Sequence, residues 1–167
     1  DLLPTGRNFY GVDPRTLPTP AAWEIGKNLS EQVIERYIAE EGTYPESVGI
    51  ILWAGVNMRS HGQCIAEFLH LMGVRPIWQK GSLRVIDLEV ISLDQLQRPR
   101  VDVTGRVSGL FRDSMPGAIN WLDRAVKLVA DLDEPLEMNF IRKHMLLDTQ
   151  ELINDGVAAD LAWQQAG

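Results

Sequence analysis

Two short segments hold most of the side chains in this chain that suit a ligand. The first is Gly55-Val56-Asn57-Met58-Arg59-Ser60-His61-Gly62-Gln63. Asn57 and Gln63 offer amide donors and acceptors, Arg59 a fixed charge, and His61 a ring that titrates near neutrality. The second is Gly105-Arg106-Val107-Ser108-Gly109-Leu110-Phe111-Arg112-Asp113. A guanidinium matches a carboxylate bidentately, so Arg106 or Arg112 suits an anionic ligand. Equally, Arg112 and Asp113 suit an ion pair that holds their own loop. A third stretch, Gly6-Arg7-Asn8-Phe9-Tyr10-Gly11-Val12-Asp13-Pro14, has two readings. It presents Arg7, Asn8 and Asp13 to a ligand, or it uses Phe9 and Tyr10 to cover a core edge.

Several other chemistries find no support. There is no His-x-x-x-His and no Cys-x-x-Cys, and His61 and Glu67 are spaced to point apart on a helix, so no resident metal site is expected. The Gly-x-x-x-x-Gly that starts at Gly49 lacks the Lys-Ser/Thr ending of a phosphate loop. Ser108 follows Arg106-Val107 rather than Gly-x, so it is not a nucleophile elbow. Sixteen basic residues against 23 acidic ones leave a net charge of -7, which argues against a nucleic-acid footprint. Cys64 is the single cysteine; it excludes an internal disulfide and fits a reducing compartment, so a cytoplasmic location is expected. No apolar run has the length of a membrane span. The chain opens with Asp1 rather than Met, as a piece of something longer would.

The elements that must carry these segments read as alternating strands and helices. Residues 1–20 hold four of the nine prolines, and residues 1–19 read as an extended arm. Thr19 is a helix N-cap with Pro20 at the first helical position, and Gly42 ends that helix. Val48 to Trp53 is apolar at nearly every position, as in a parallel strand covered on both faces. Ala54 to Gln63 reads as a polar turn. A helix follows to Gly73, then a strand over Val74–Gln79. Strand, helix and strand in that order imply a parallel crossover. Lys80-Gly81-Ser82 is a turn, Arg84–Ile91 a strand, Leu93–Leu96 a helical turn, and Arg100–Thr104 a short strand. A helix runs from Met115 or Pro116 to Leu132, Asn139–His144 is a mixed polar segment, and Asp148 onward is helical. Both candidate segments follow a strand and precede a helix. In an open α/β sheet that places them on the carboxyl edge, where ligands bind. The expected fold is a three-layer, Rossmann-like α/β domain, with a mostly parallel sheet and helices on both faces. Its parts are the arm, a core over 20–146 and a helical tail over 147–167. Of the tryptophans, 53, 78, 121 and 163 fit a core, and Trp53 at its strand end also suits a flat pocket.

An ordered set of short matches runs through residues 4–146. It includes Gly6-Arg7-Asn8-Phe9-Tyr10, Leu17-Pro18-Thr19, Leu52-Trp53, Gly73-Val74-Arg75-Pro76, Arg98-Pro99-Arg100-Val101-Asp102-Val103, Ser108-Gly109-Leu110-Phe111-Arg112-Asp113, Leu132-Asp133-Glu134-Pro135 and Arg142-Lys143-His144. In this set the chain resembles the large subunit of class I metal chelatases, the cobaltochelatase and magnesium chelatase subunits that bind the macrocycle. The wording of Asn8-Phe9-Tyr10 and Val12-Asp13 is nearer the cobalt type. The resemblance implies a fragment of a much longer tetrapyrrole-binding subunit, inactive alone. Separate AAA+ ATPase subunits would hydrolyse ATP, with its Mg²⁺, to drive metal insertion. On the cobalt branch the substrates would be Co²⁺ and hydrogenobyrinic acid a,c-diamide; on the magnesium branch, Mg²⁺ and protoporphyrin IX. A third possibility is a structural or docking module of that subunit. The family commonly carries Glu after the glycine that aligns with Gly62. Gln63 stands there in this chain, and a neutral amide is neither a base nor an anionic ligand.

Overall fold

The computed structural model describes residues 12–166. Among them, four strands and eight α-helices follow in this order: α1 Pro20–Glu41, β1 Ser47–Leu52, α2 Ala54–Arg59, α3 Gln63–Met72, β2 Val74–Trp78, β3 Val85–Val90, α4 Leu93–Leu96, β4 Asp102–Val107, α5 Gly109–Ser114, α6 Pro116–Ala130, α7 Phe140–Asn154 and α8 Ala159–Ala166. The class is α/β, a parallel sheet flanked by helices. No helix among the described residues is long and apolar enough to cross a membrane.

Local chemistry sets the ends of α1. The Thr19 hydroxyl accepts the Ala22 N–H at 3.3 Å, and Pro20 occupies the first turn, where its missing N–H costs nothing. Gly42 closes the helix in the left-handed region at φ 75°. Ala22, Gly26, Ser30 and Ile34 recur every fourth residue and are buried. That stripe lies on α3. A Cβ on Gly26 would stand 2.5 Å from the Ala66 Cβ, so glycine is what lets the two backbones meet. Helix α3 is buried around most of its circumference, through Ile65, Ala66, Phe68, Leu69, Leu71 and Met72. It is the centre of the core, packed also against β1, β4 and α6.

β1 pairs with β4 in parallel, from Ser47 opposite Asp102 to Leu52 opposite Val107. The expected crossover from β1 to β2 does not form a parallel pair. β2 instead pairs antiparallel with β3 in a separate hairpin. Two features explain this. Pro76 sits within β2 and has no N–H to donate, which confines β2 to one ladder. The turn at 80–82, with Gly81 at φ 87°, is short enough to fold β3 straight back.

Three boundaries also differ from the sequence reading. The polar turn at 54–63 is mostly the helix α2. β4 continues to Val107, so Gly105 and Arg106 are strand rather than loop. The polar segment 139–144 opens α7, because the Asn139 Oδ1 accepts the Arg142 N–H at 3.0 Å and caps it. Ile50, Leu52 and Val103 point into the core, whereas Gly49, Ile51, Thr104 and Arg106 lie exposed on the opposite face. A strand as apolar as β1 suits cover on both faces; here the carboxyl half of the outer face is open.

Candidate functional site

The parallel register brings both candidate segments to one edge. Leu52 and Val107 end their strands side by side, and α2 and α5 pack together just beyond. A chain leaving parallel neighbours must emerge at the same end of the sheet, so residues some fifty apart in sequence share one ledge. Trp53 and Leu110 are 55% and 64% exposed there. Such exposure of large apolar groups beside cations suits a flat, apolar ring system with anionic substituents.

The individual residues divide sharply. Arg59 is exposed on α2; its Nε donates to the Gly55 carbonyl at 3.2 Å, and it meets no carboxylate among the described residues. Arg106 is exposed at the end of β4 and makes no ion pair among the described residues. Arg112 and Asp113 form an exposed ion pair at 3.0 Å on α5. Asn57 is fully buried: its Nδ2 donates to the Trp53 carbonyl at 3.0 Å, and its Oδ1 has no partner among the described residues. His61 is exposed with φ 55°, and its carbonyl accepts the Thr19 N–H at 3.1 Å. Gly62, at φ 93°, is packed so closely that a Cβ would stand 2.7 Å from the Pro18 Cα. Gln63 is half-buried, its backbone N–H held by the Ser60 hydroxyl at 3.3 Å. Arg7 and Asn8 lie outside the described residues. Ser108 caps α5, its hydroxyl accepting the Phe111 N–H at 3.2 Å. Burial pushes the Cys64 thiol and the nearby Glu67 carboxyl up from their usual values. Among the described residues no group of three or more His, Cys, Asp or Glu is placed to hold a metal ion.

The amino edge of the same strand pair carries residues that sequence reasoning did not single out. His144 Nδ1 stands 2.7 Å from Asp102 Oδ2, and its Nε2 stands 3.3 Å from Glu46 Oε2. Lys143 Nζ donates to both Glu46 oxygens, at 2.8 and 2.7 Å. Partial burial pushes the imidazole down, but hydrogen bonds to Asp102 and then Glu46 outweigh it and hold its pKa above the usual value. The Lys143 hydrogen bond, ahead of the His144 one, lowers Glu46. A cleft of about 590 Å³ opens beside this cluster, lined by Tyr44, Phe140, Leu146 and Leu147 among others. The one sequence signal was topological. Glu46 enters β1 and Asp102 opens β4, so a parallel pair must set them together.

Two buried arginines tie the loop before β4 to the core. Arg100, with no exposed side-chain surface, holds Glu134 through Nε at 2.7 Å and Nη2 at 2.9 Å. Its other donors reach the Met72, Gly73 and Ile91 carbonyls. Asn139 joins the network through Glu134 at 3.0 Å. Arg98 reaches Glu31 at 3.1 Å, the His70 and Leu71 carbonyls, and His70 Nδ1 at 3.3 Å. The Ser30 hydroxyl also meets His70 Nδ1, at 2.5 Å. Burial, with Arg98 and Lys27 adding to it, lowers the His70 pKa to about 3 and keeps the ring neutral.

The comparisons with known proteins agree with this architecture. The CobN/Magnesium Chelatase family model matches residues 1–166. The aerobic cobaltochelatase subunit CobN of Pseudomonas aeruginosa is 47% identical over 167 residues, all of this chain and 13% of that protein. An uncharacterized protein of Methanocaldococcus jannaschii is 51% identical over 157 residues, 94% of this chain and 13% of that one. The chloroplastic magnesium-chelatase subunit ChlH of rice is 43% identical over 152 residues, 90% of this chain and 11% of that one. The solved catalytic subunit of cobaltochelatase from Mycobacterium tuberculosis superposes with a TM-score of 0.85 and 46% identity, over 95% of this chain and 13% of that chain. The sequence therefore spans about one eighth of the relatives it matches. The chain belongs to the CobN/magnesium chelatase family.

Proposed function

We propose that this chain supplies part of the tetrapyrrole-binding wall of a metal chelatase of the cobalt type. The carboxyl edge of β1 and β4 is the wall. Trp53 and Leu110 offer apolar surface to the macrocycle face, and Arg59, Arg106 and Arg112 meet its peripheral carboxylates. Arg7, Asn8, His61, Gln63 and Asp113 remain candidates for its polar rim. Asn57 contributes by holding the Trp53 carbonyl and hence the turn out of β1. Co²⁺ enters as a substrate rather than a resident ion, and ATP hydrolysis belongs to AAA+ partner subunits. With Gln63 where the family commonly has Glu, proton removal from the pyrrole nitrogens falls to another group.

The observation that carries this reading is the shared edge: the exposed Trp53 and Leu110 beside Arg59 and Arg106, which meet no carboxylate among the described residues, gathered by the parallel register. The full-length subunit should be titrated with hydrogenobyrinic acid a,c-diamide and, separately, with protoporphyrin IX. Tryptophan quenching and the macrocycle absorption band report binding. Saturable, tighter binding of the first macrocycle supports the cobalt type. Tighter binding of protoporphyrin IX moves the protein to the magnesium type, toward which the rice relative points. Binding of neither overturns the ligand wall.

A further inference from the structure

A second cleft opens at the far end of α5. It encloses about 580 Å³ between the 3₁₀ turn Pro14–Thr16, the start of β3 and the start of α6. Val85, Ile86, Pro116 and Trp121 give it apolar walls. The Arg124 guanidinium lies over the Trp121 ring at 5.4 Å and pairs with Asp87 at 2.7 Å, which fixes that wall. The polar side is Asp13, Arg15 and Arg84.

Asp13 aims the two guanidiniums. Its Oδ1 accepts from Arg15 Nε at 2.9 Å, and its Oδ2 from Arg15 Nη2 at 3.0 Å. The same Oδ2 stands 3.4 Å from Arg84 Nε. One carboxylate thus serves two cations, which leaves a local positive charge in a chain whose net charge is -7. Arg15 Nη1 and both Nη groups of Arg84 make no hydrogen bond among the described residues. All three side chains are partly exposed, and exposed ion pairs add little to stability. The trio does little to hold the fold, and its free donors match a carboxylate.

The cleft adjoins the ledge of Trp53 and Leu110. Ser114 lines it, and the Ser114 hydroxyl donates to the Leu110 carbonyl at 2.5 Å, one turn back along α5. A turn rises about 5.4 Å, less than the width of a tetrapyrrole, so one ring reaches both. The volume is that of a ligand pocket, which spans roughly 300–1,000 Å³.

We propose that this cleft is an acid-arm subsite of the ledge. Arg84 and Arg15 bind one peripheral carboxylate of the macrocycle, and the adjoining ring rim lies on Trp121 and Ile86. Asp13 is the positioning residue for both arginines. This rests on the macrocycle reading of the carboxyl edge, and it adds a carboxylate other than the one at Arg106.

Titration of the full-length subunit with hydrogenobyrinic acid a,c-diamide tests it, with the melting temperature measured on each variant. Arg84→Gln should raise Kd by about tenfold at a melting temperature within about 2 °C of wild type. Arg15→Gln should act in the same direction. Arg84→Lys keeps the charge without the fork and should recover part of the loss. The Arg84→Gln and Arg106→Ala losses should multiply in the double variant, as they do for contacts to different carboxylates. Wild-type affinity in Arg84→Gln, where Arg106→Ala still weakens binding, overturns the subsite and leaves the ledge standing. A loss of affinity that comes with a lower melting temperature assigns Arg84 to the fold and also overturns the subsite. A double variant no weaker than Arg106→Ala puts both arginines on one carboxylate and contradicts a separate subsite. A wild type that binds no macrocycle overturns ledge and subsite together.

Discussion

The two ends of the β1–β4 pair use the same residue types in opposite ways. At the amino end the polar groups satisfy one another: Glu46 with Lys143 and His144, His144 with Asp102, and Arg100 with Glu134 behind them. At the carboxyl end Arg59 and Arg106 meet no carboxylate among the described residues, and Trp53 and Leu110 stand exposed. A cleft of about 590 Å³ lies at the amino end, yet the charges beside it are engaged in holding α7 and β1 together. On the reading proposed above, exposed cations beside the exposed Trp53 are the groups free to meet a ligand, whereas the amino-end charges already hold one another.

If this division holds, changes at the amino end and the core should act on stability, and changes at the carboxyl end on binding. The largest effect is expected for Arg100→Ala, which strands Glu134 and three backbone carbonyls. Removing one partner of a buried pair costs about 3–5 kcal/mol. Urea unfolding should show it, and a loss below 1 kcal/mol would mean that the arginine is dispensable.

Acid should act next, through His70. Its folded pKa, about 3, lies below the ordinary 6.5. The unfolded chain then takes up a proton between those values that the folded one refuses, so stability falls as pH drops. The slope from this group is about 1.4 kcal/mol per unit within that window. His70→Gln should flatten that part of the profile. An unaltered profile would show that the ring titrates normally in the fold.

Arg106→Ala and Arg112→Ala should each weaken macrocycle binding by about tenfold, or ~1.4 kcal/mol, while moving stability by less than about 0.5 kcal/mol. Loss of stability without loss of affinity would reverse the comparison.

His144 gives the smallest effect. Its pKa is raised in the fold, so its contribution is fully present below the unfolded value and is lost as pH rises through the folded one. Relative to His144→Gln, the wild type should gain under about 1 kcal/mol at pH 6, and nothing well above neutrality. A gain that persists at high pH would mean that the neutral ring suffices.

Much of this was legible in the sequence where local chemistry rules. Thr19, Pro20, Gly42 and Gly73 mark helix ends for reasons contained in a few residues, and the shared edge followed from strand-helix order. The β2–β3 hairpin was not legible as such, because its pairing depends on which neighbour β2 can accept, and Pro76 limits that. Helix α2 was hidden by Gly55, Asn57 and Ser60, which favour turns in isolation but sit here on a packed edge. The His144–Asp102–Glu46 cluster spans three distant elements and has no local signature. Asn57 looked available for a ligand; burial, which no local pattern reveals, takes it into the Trp53 turn.

The most direct test is the macrocycle affinity of the full-length subunit carrying Trp53→Ala with Arg59→Ala, set beside His144→Gln. The carboxyl-edge pair should raise Kd by about tenfold or more with the fold intact, and His144→Gln should leave Kd unchanged. A carboxyl-edge pair that binds like wild type, or a His144 variant that binds as poorly as the pair was expected to, would contradict the assignment of the ligand to this edge.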